Sequence, residues 1–514
     1  MWVKRRPLRW SSRAEPPFGA AVARSSFSFQ NVILPKSNGV RSLLAAVLVL
    51  AVAAVGYFWW HGAQVRSLAL AAVPARPEMD SAPPELVARV AQAEDDVSHG
   101  AHPLEGLKDL SRLYQANGYL SAAIQVYDGL RRAEPKNPHW PHLEAGLLAG
   151  FGRLEEAIPL LRRTLELSPD YVPARIRLAD ALLKTNQTDA AANEYRNVLS
   201  ADPNNVYALL GTARCKMEAK HWSLAEENLR RAVQAKPTFS AAWQLLSTLA
   251  EQRGDADAAV RAEREAAKGT RFQDIPDAWA DELLDDCYDP YKLRVAAAVM
   301  EEARNPGAGI HLLERAVRLS PDNAPAHREL GRLYMQQNQL AEARPHLEKA
   351  VSLAPDDAEN WIGLVKVTTA MQDSAGLNRA LLAGLSHCPA SPSLHLERGR
   401  QLLAARQIPE ALVEFEESKR LRPNEPDALL QIGIAYLYLG DTVRGLAAMQ
   451  EVLRVQPDHP TALLALCRGA VDNGNEEVAL RWLSRLRQQV RLRPEDWTEI
   501  SDYFQQRFGH APTT

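Results

Sequence analysis

The chain has 514 residues, 46% of them hydrophobic and 24% charged, with a net charge of −3. That is ample apolar material for a packed core, and so balanced a charge gives no field to draw nucleic acid, so no nucleic-acid partner is expected. Cys215, Cys287, Cys388 and Cys467 are scattered, and no CxxC pair occurs, which excludes a zinc ribbon and a thioredoxin-type motif and leaves them as small buried hydrophobes.

Residues 1–41 hold Lys4, Arg5, Arg6, Arg9, Arg13, Arg24, Lys36 and Arg41 against a single acid, Glu15, and read as a disordered basic tail. Residues 42–60, SLLAAVLVLAVAAVGYFWW, contain no charge. As a helix this stretch spans roughly 28 Å at 1.5 Å per residue, close to the hydrocarbon core of a bilayer. Tyr57, Phe58, Trp59 and Trp60 cluster at one end, as an aromatic belt does. The stretch is therefore expected to be a transmembrane signal anchor, the membrane contact of the chain. The basic flank puts residues 1–41 in the cytoplasm and the rest outside it, in a periplasm or an equivalent space. A second possibility stays open: cleavage near Ala69-Leu70-Ala71 would give a secreted protein. Residues 61–83, with Pro74, Pro77 and Pro83, are expected to be a linker. Pro84–Ser98 has helical apolar spacing and is placed over the open face of whatever follows.

From Leu104 onward one pattern recurs. It is fullest over 324–357, with His327, Leu330-Gly331, Tyr334, Leu340, Ala343, Leu347, Ala350 and Pro355. Leu330, Gly331 and Tyr334 share one face of a first helix, and Gly331 lets a second helix come close. Asn338 suits a left-handed turn. Ala343, Leu347 and Ala350 form the stripe of the second helix, and Pro355 stops it. This segment resembles the tetratricopeptide repeat (TPR), a 34-residue helical hairpin, at every anchor but the first, where His327 stands for the usual Trp.

Stepping by 34 finds copies starting at Leu104, Pro138, Val172, Val206 and Ser240, and again at Pro290, Ala324, Ala358, Pro392, Pro426 and Pro460. The fold expected is all-α: an α-solenoid, a right-handed superhelix of ten or eleven hairpins. Residues 84–272 are its N-terminal array and 290–493 its C-terminal array. Between them, 273–289 breaks the period and is strongly acidic, with Asp274, Asp277, Asp281, Glu282, Asp285, Asp286 and Asp289 around Trp279 and Tyr288. The expectation there is a packed extra helix with a solvated acidic face; a docking patch and a calcium site are second and third. Residues 494–514 are expected to be a capping helix, Pro494–Phe508, and a tail.

No phosphate loop, dinucleotide fingerprint, HExxH or GxSxG occurs, so no catalytic, cofactor-binding or metal residues are expected and the chain is read as non-catalytic. His139 and His142 lie close in sequence without a third ligand and are expected to be packing or solvated histidines.

The resemblance implies more. TPR proteins hold extended peptides or partner helices in a concave groove lined by the second, fifth, ninth, twelfth and thirteenth residues of each copy. Here those positions include Arg328, Arg332, Met335 and Gln336, then Leu396, Arg400 and Leu403, then Leu430, Ile434, Leu437 and Tyr438, then Leu464 and Arg468. The implied function is a membrane-tethered scaffold that binds other proteins or peptides. Alternatives are an accessory subunit of an envelope secretion, export or assembly complex, and a regulatory subunit of a separate enzyme. The carboxylate clamp of chaperone-binding TPR proteins is not matched: Lys108 fits, but Arg112, Leu143 and Pro173 stand where Asn, Asn and Lys are needed.

Overall fold

The computed structural model describes residues 38–269, 274–489 and 494–512. Most of the basic tail lies outside them. The chain divides into two units, ending at Ser67 and beginning at Leu68.

In the first unit a helix begins at Asn38 and runs on to Ala72. Its apolar part, 46–72, is the one helix among the described residues long and apolar enough to cross a membrane. Its large side chains Val47, Leu48, Val49, Leu50, Val52, Val55, Trp59 and Trp60 are all exposed, at 56% or more. The linker expected from 61 is corrected: residues 61–72 contain no proline and are rich in Ala and Leu, so nothing stops the helix before Val73. The irregular stretch is 73–83, where the prolines lie.

Every regular element among the described residues of the second unit is a helix. Pro84–Ser98 forms a helix that buries Leu86, Val90, Ala93 and Val97. Eleven hairpins follow, from Pro103–Ala116 with Leu120–Ala133 to Pro460–Asp472 with Glu476–Gln489. Pro494–Phe508 closes the series, with Ile500 and Phe504 fully buried.

One backbone feature keeps all eleven in phase. The turn between the two helices takes a left-handed residue at Gly118, Gly152, Asn186, Lys220 and Gly254, then at Arg304, Asn338, Gln372, Arg406, Gly440 and Gly474. The N–H after each returns to a carbonyl five residues back, as from Gln339 to Tyr334 (2.8 Å) and Asn475 to Ala470 (2.9 Å). This bond satisfies a carbonyl that the helix end leaves open, and it fixes the angle at which the second helix departs. Close packing then follows from missing side chains. A Cβ on Gly331 would lie 2.6 Å from Leu347 Cγ, one on Gly399 2.4 Å from the Phe415 ring, and one on Gly211 2.1 Å from the Tyr195 ring.

Consecutive hairpins pack in order through the fifth copy, Ser240–Lys268, and again from the sixth, Pro290–Leu319, to the end. Between them the period is broken and the chain turns back to its start. The expected extra helix is a single turn, Ala278–Asp281, followed by a 3-10 turn, Glu282–Asp286. The 3-10 turn packs on the first helix of the first copy. Leu283 and Cys287 join Leu107, Leu110 and Tyr114 to Leu293, Ala297 and Leu313 of the sixth copy in one core. The solvated acidic face is also corrected. Asp277 and Asp286 are buried, and Asp274, Asp281, Glu282 and Asp285 remain exposed. The two buried acids face cations of the first three copies and their leading helix, so burial leaves neither charge alone.

Candidate functional site: two concave grooves

In the C-terminal array the sequence-predicted groove residues separate into a charged part and an apolar part. The arginines are paired between neighbouring elements. Arg332 donates to both Glu301 oxygens (2.6 and 2.5 Å), and Gln336 adds a third bond (2.9 Å). These partners hold the Glu301 carboxyl below its usual range, Arg332 most strongly. Arg328 pairs with Asp357 and donates to Asn360 Oδ1 (2.9 Å). Arg400 reaches Glu397 (2.6 Å) and Asp427 (3.3 Å), and Arg468 pairs with Glu499 of the closing helix. A ladder of this kind links copy to copy, and any acidic ligand must compete with a resident carboxylate.

The apolar part is uneven. Leu396 is buried, while Met335, Leu403, Leu430, Ile434, Leu437 and Leu464 are half-buried. Tyr438 is 58% exposed, with the Arg406 guanidinium 5.6 Å from its ring centre. Leu430, Ile434, Leu437 and Leu464 flank one core cluster. Leu437 and Leu464 also line an open cavity of about 420 Å3 with Leu446, Arg468, Asp472 and Glu499. The structure therefore brings Leu437, Leu464 and Arg468 together around one space, and places the Arg328–Arg332–Gln336 group in a separate polar stretch.

The groove of the N-terminal array is occupied by the chain itself. Asp277 sits in it, 4% exposed. His142 Nε2 donates to its Oδ2 (2.7 Å), the Tyr171 hydroxyl to its Oδ1 (2.5 Å), and Arg177 Nη2 lies 2.9 Å away. Burial alone would raise this carboxyl, but His142, Tyr171 and Arg177 outweigh it and hold it well below the usual carboxylate range. Two residues on, Trp279 stacks on Tyr171, with ring centres 3.6 Å apart and planes 9° apart. His139 covers Trp279 at 4.2 Å, and His142 meets both rings edge-on. Burial lowers His139, so this clamp favours a neutral imidazole there.

Farther along, Asp286 meets Arg89 (2.9 Å) and Arg112 (3.0 Å). Asn117 grips the backbone on both sides of Cys287: it donates to the Asp286 carbonyl (2.8 Å) and accepts from the Tyr288 N–H (2.6 Å). Arg315 donates to the Leu284 and Cys287 carbonyls (2.6 and 2.9 Å).

Sequence reading passed over this site. His139 and His142 stand at the second and fifth positions of the copy starting at Pro138, which the family frame assigns to the groove, and that was the available signal. What no periodicity shows is that an acidic segment more than 130 residues away returns to them. The thiols play no part. Burial pushes Cys215 up to about 11 and Cys467 up to about 12, which leaves them protonated and inert at neutral pH. Among the described residues no group of three His, Cys, Asp or Glu side chains is placed to hold a metal.

Comparison with known proteins agrees with this architecture. Two tetratricopeptide-repeat models match, one at residues 148–194, 186–249 and 301–373 and the other at 430–496. The chain is 24% identical to a protein described as "Protein CTR9 homolog" of Arabidopsis thaliana, over 64% of this chain and 34% of that one. It is 23% identical to "Cellulose synthase operon protein C" of Pseudomonas fluorescens (strain SBW25), over 74% of this chain and 28% of the relative. It is 27% identical to human "Protein O-mannosyl-transferase TMTC3", over 52% and 29%. The chain thus spans about a third of the length of these curated relatives. Among solved structures, that of yeast Tom70 is similar at a TM-score of 0.38 and 14% identity, over 78% of this chain and 95% of that one.

Proposed function

This chain is a tetratricopeptide-repeat protein, and from that premise we propose that it is a non-catalytic adaptor holding an extended segment of another protein along the concave face of its C-terminal copies. One observation carries this reading: Leu437, Leu464 and Arg468, all at groove positions, surround an open cavity of about 420 Å3. These apolar side chains suit a segment that offers an aliphatic side chain, and any carboxylate on it must compete with Glu499 for Arg468. The apolar helix at 46–72 is assigned as the tether, with the basic tail in the cytoplasm and the repeats on the other side.

A photo-crosslinker at Leu464 tests the groove, with one at Val413, which is 69% exposed on a second helix, as control. One defined protein captured at 464 and not at 413 is the result expected, and its loss with Arg468→Glu completes it. Equal capture at both positions refutes the groove. Topology has its own test: a reporter fused after Pro84 is expected to be active only outside the cytoplasm, and release of the chain from membranes by alkaline carbonate would refute the tether.

The likeness to a cellulose synthase operon protein, over 74% of this chain, favours a second reading. In it the adaptor is an accessory subunit of an envelope assembly or polymer-export complex. Co-purification of a membrane synthase or pore in fixed ratio separates this reading from a soluble partner.

A further inference from the structure

The acidic segment is held in two different ways along its length. From Leu283 to Tyr288 the grip includes the main chain: Asn117 and Arg315 bind the carbonyls and N–H of Leu284, Asp286, Cys287 and Tyr288, and Arg89 and Arg112 hold the Asp286 carboxylate as well. Leu283 and Cys287 are buried in the shared core. From Asp277 to Asp281 the grip is on side chains. Asp277 and Trp279 enter the groove, and one N–H, that of Trp279, meets Tyr171 at 3.3 Å. Asp274, Pro276, Ala278, Asp281 and Glu282 stay exposed. The first half of the segment can therefore leave while the second stays fastened.

The surface beneath is a built recognition site. His142, Tyr171 and Arg177 converge on one carboxylate, and His139 and Tyr171 sandwich one indole. Beyond Asp277 the groove continues as a cavity of about 310 Å3 lined by Arg177, Lys184 and Arg214 with Asp180 and Asp274. Three cations against two acids prefer further negative charge along the same line. Arg177 Nε is buried without a partner, which marks donor capacity that the resident segment leaves unused.

We propose that the concave face of the second to fourth copies is a docking surface for an acidic segment of a partner protein that carries an aromatic ring two residues after a carboxylate, and that residues 277–281 are a built-in occupant which such a partner displaces. This surface is distinct from the C-terminal groove and does not depend on it. The tethered occupant competes at a high effective concentration, so the partner binds the intact chain weakly and the emptied groove tightly.

The probe is a fluorescein-labelled peptide with the sequence of residues 274–285, DIPDAWADELLD, read by anisotropy against the full chain in detergent. The double variant Asp277→Asn, Trp279→Ala is expected to bind it at least ~10-fold more tightly than wild type. Adding Arg177→Glu to the double variant is expected to abolish the gain. Equal binding by wild type and double variant, or no effect of Arg177→Glu, overturns the proposal. Should the double variant lose helical content, the wild type decides. Excess unlabelled peptide is expected to raise hydrogen exchange at 277–281 and leave 286–288 unchanged; no change at 277–281 overturns the proposal. So does a concentration-dependent dimer in which copies exchange these segments, because the occupant is then a second copy of the chain.

Discussion

Four of the eleven left-handed turn positions carry side chains poorly suited to them: Lys220 (φ 60°), Arg304 (58°), Gln372 (57°) and Arg406 (63°). In that conformation a Cβ crowds the carbonyl oxygen, at a cost of about 1–2 kcal/mol. Glycine removes the crowding but adds freedom to the unfolded chain, which returns roughly 0.5–1 kcal/mol. The net expectation is a gain of about 0.5–1 kcal/mol at each position. At Arg406 the gain shrinks toward zero, because its guanidinium also sits over the Tyr438 ring, a contact worth about 0.5–1 kcal/mol at an exposed site. Lys220→Gly, Arg304→Gly and Gln372→Gly lie in separate copies, so their effects add to about 2 kcal/mol. The reverse substitutions isolate the cause. Nothing lies within 4 Å of a Cβ built on Gly152 or Gly254, so Gly152→Ala and Gly254→Ala carry a purely conformational penalty, about 1 kcal/mol each. Urea unfolding followed by helical circular dichroism reads both series, with the slope checked in every variant because repeat arrays can unfold in steps. A triple glycine variant no more stable than wild type at equal slope, together with cost-free Gly152→Ala, would refute the assignment of strain to these turns.

Gly211→Ala is expected to destabilise by about 1–3 kcal/mol, since its Cβ meets a Tyr195 ring that is fully buried and whose hydroxyl is bonded to Asp180; Gly307→Ala, whose Cβ would meet only Asn305 Oδ1 at 4.0 Å, should instead be neutral or slightly stabilising in the same urea assay. Phe415→Ala empties a fully buried ring site and is expected to cost about 3–5 kcal/mol. Hydrogen exchange should place that loss in the C-terminal copies; a loss spread evenly over 84–269 would contradict sequential packing. The Asp277 carboxyl is depressed in the folded chain, so its contribution is complete above the ordinary value of about 4 and is lost as pH falls through the folded value. Protection of amides 277–281, corrected for intrinsic exchange, should be flat between pH 7 and 5 and fall only in stronger acid. A fall already between pH 7 and 5 would mean that a histidine governs the contact.

Much of this was legible in the sequence. A hairpin too small to be stable alone must repeat its anchors at constant spacing, and Gly331, Tyr334, Ala343, Leu347 and Pro355 do so. The limit of that legibility is physical. Periodicity reports contacts between residues one copy apart, so it located the Arg332 ladder position but not its partner Glu301, and it was silent on the approach of Asp277 to His142. Nor did residue type mark every left-handed turn, because Lys220 and Gln372 take the conformation under the constraint of the helices on either side. The linker expected from 61 starts too early because Pro74, Pro77 and Pro83 do not mark all of 61–83: residues 61–72 hold no proline and stay helical.

The fastening of Asn117 to the backbone at 286–288 also has a mechanical meaning. It ties the first copy directly to the entrance of the sixth, so copies two to five hang as a side loop on the line between the two ends of the array. Tension applied between Pro84 and Phe508 runs through that clasp and leaves the intervening coils slack. The clasp rests on Asn117, on the Asp286 pairs with Arg89 and Arg112 and on the buried Leu283 and Cys287, and Asn117→Ala should lower the force at which the loop is released without changing its contour.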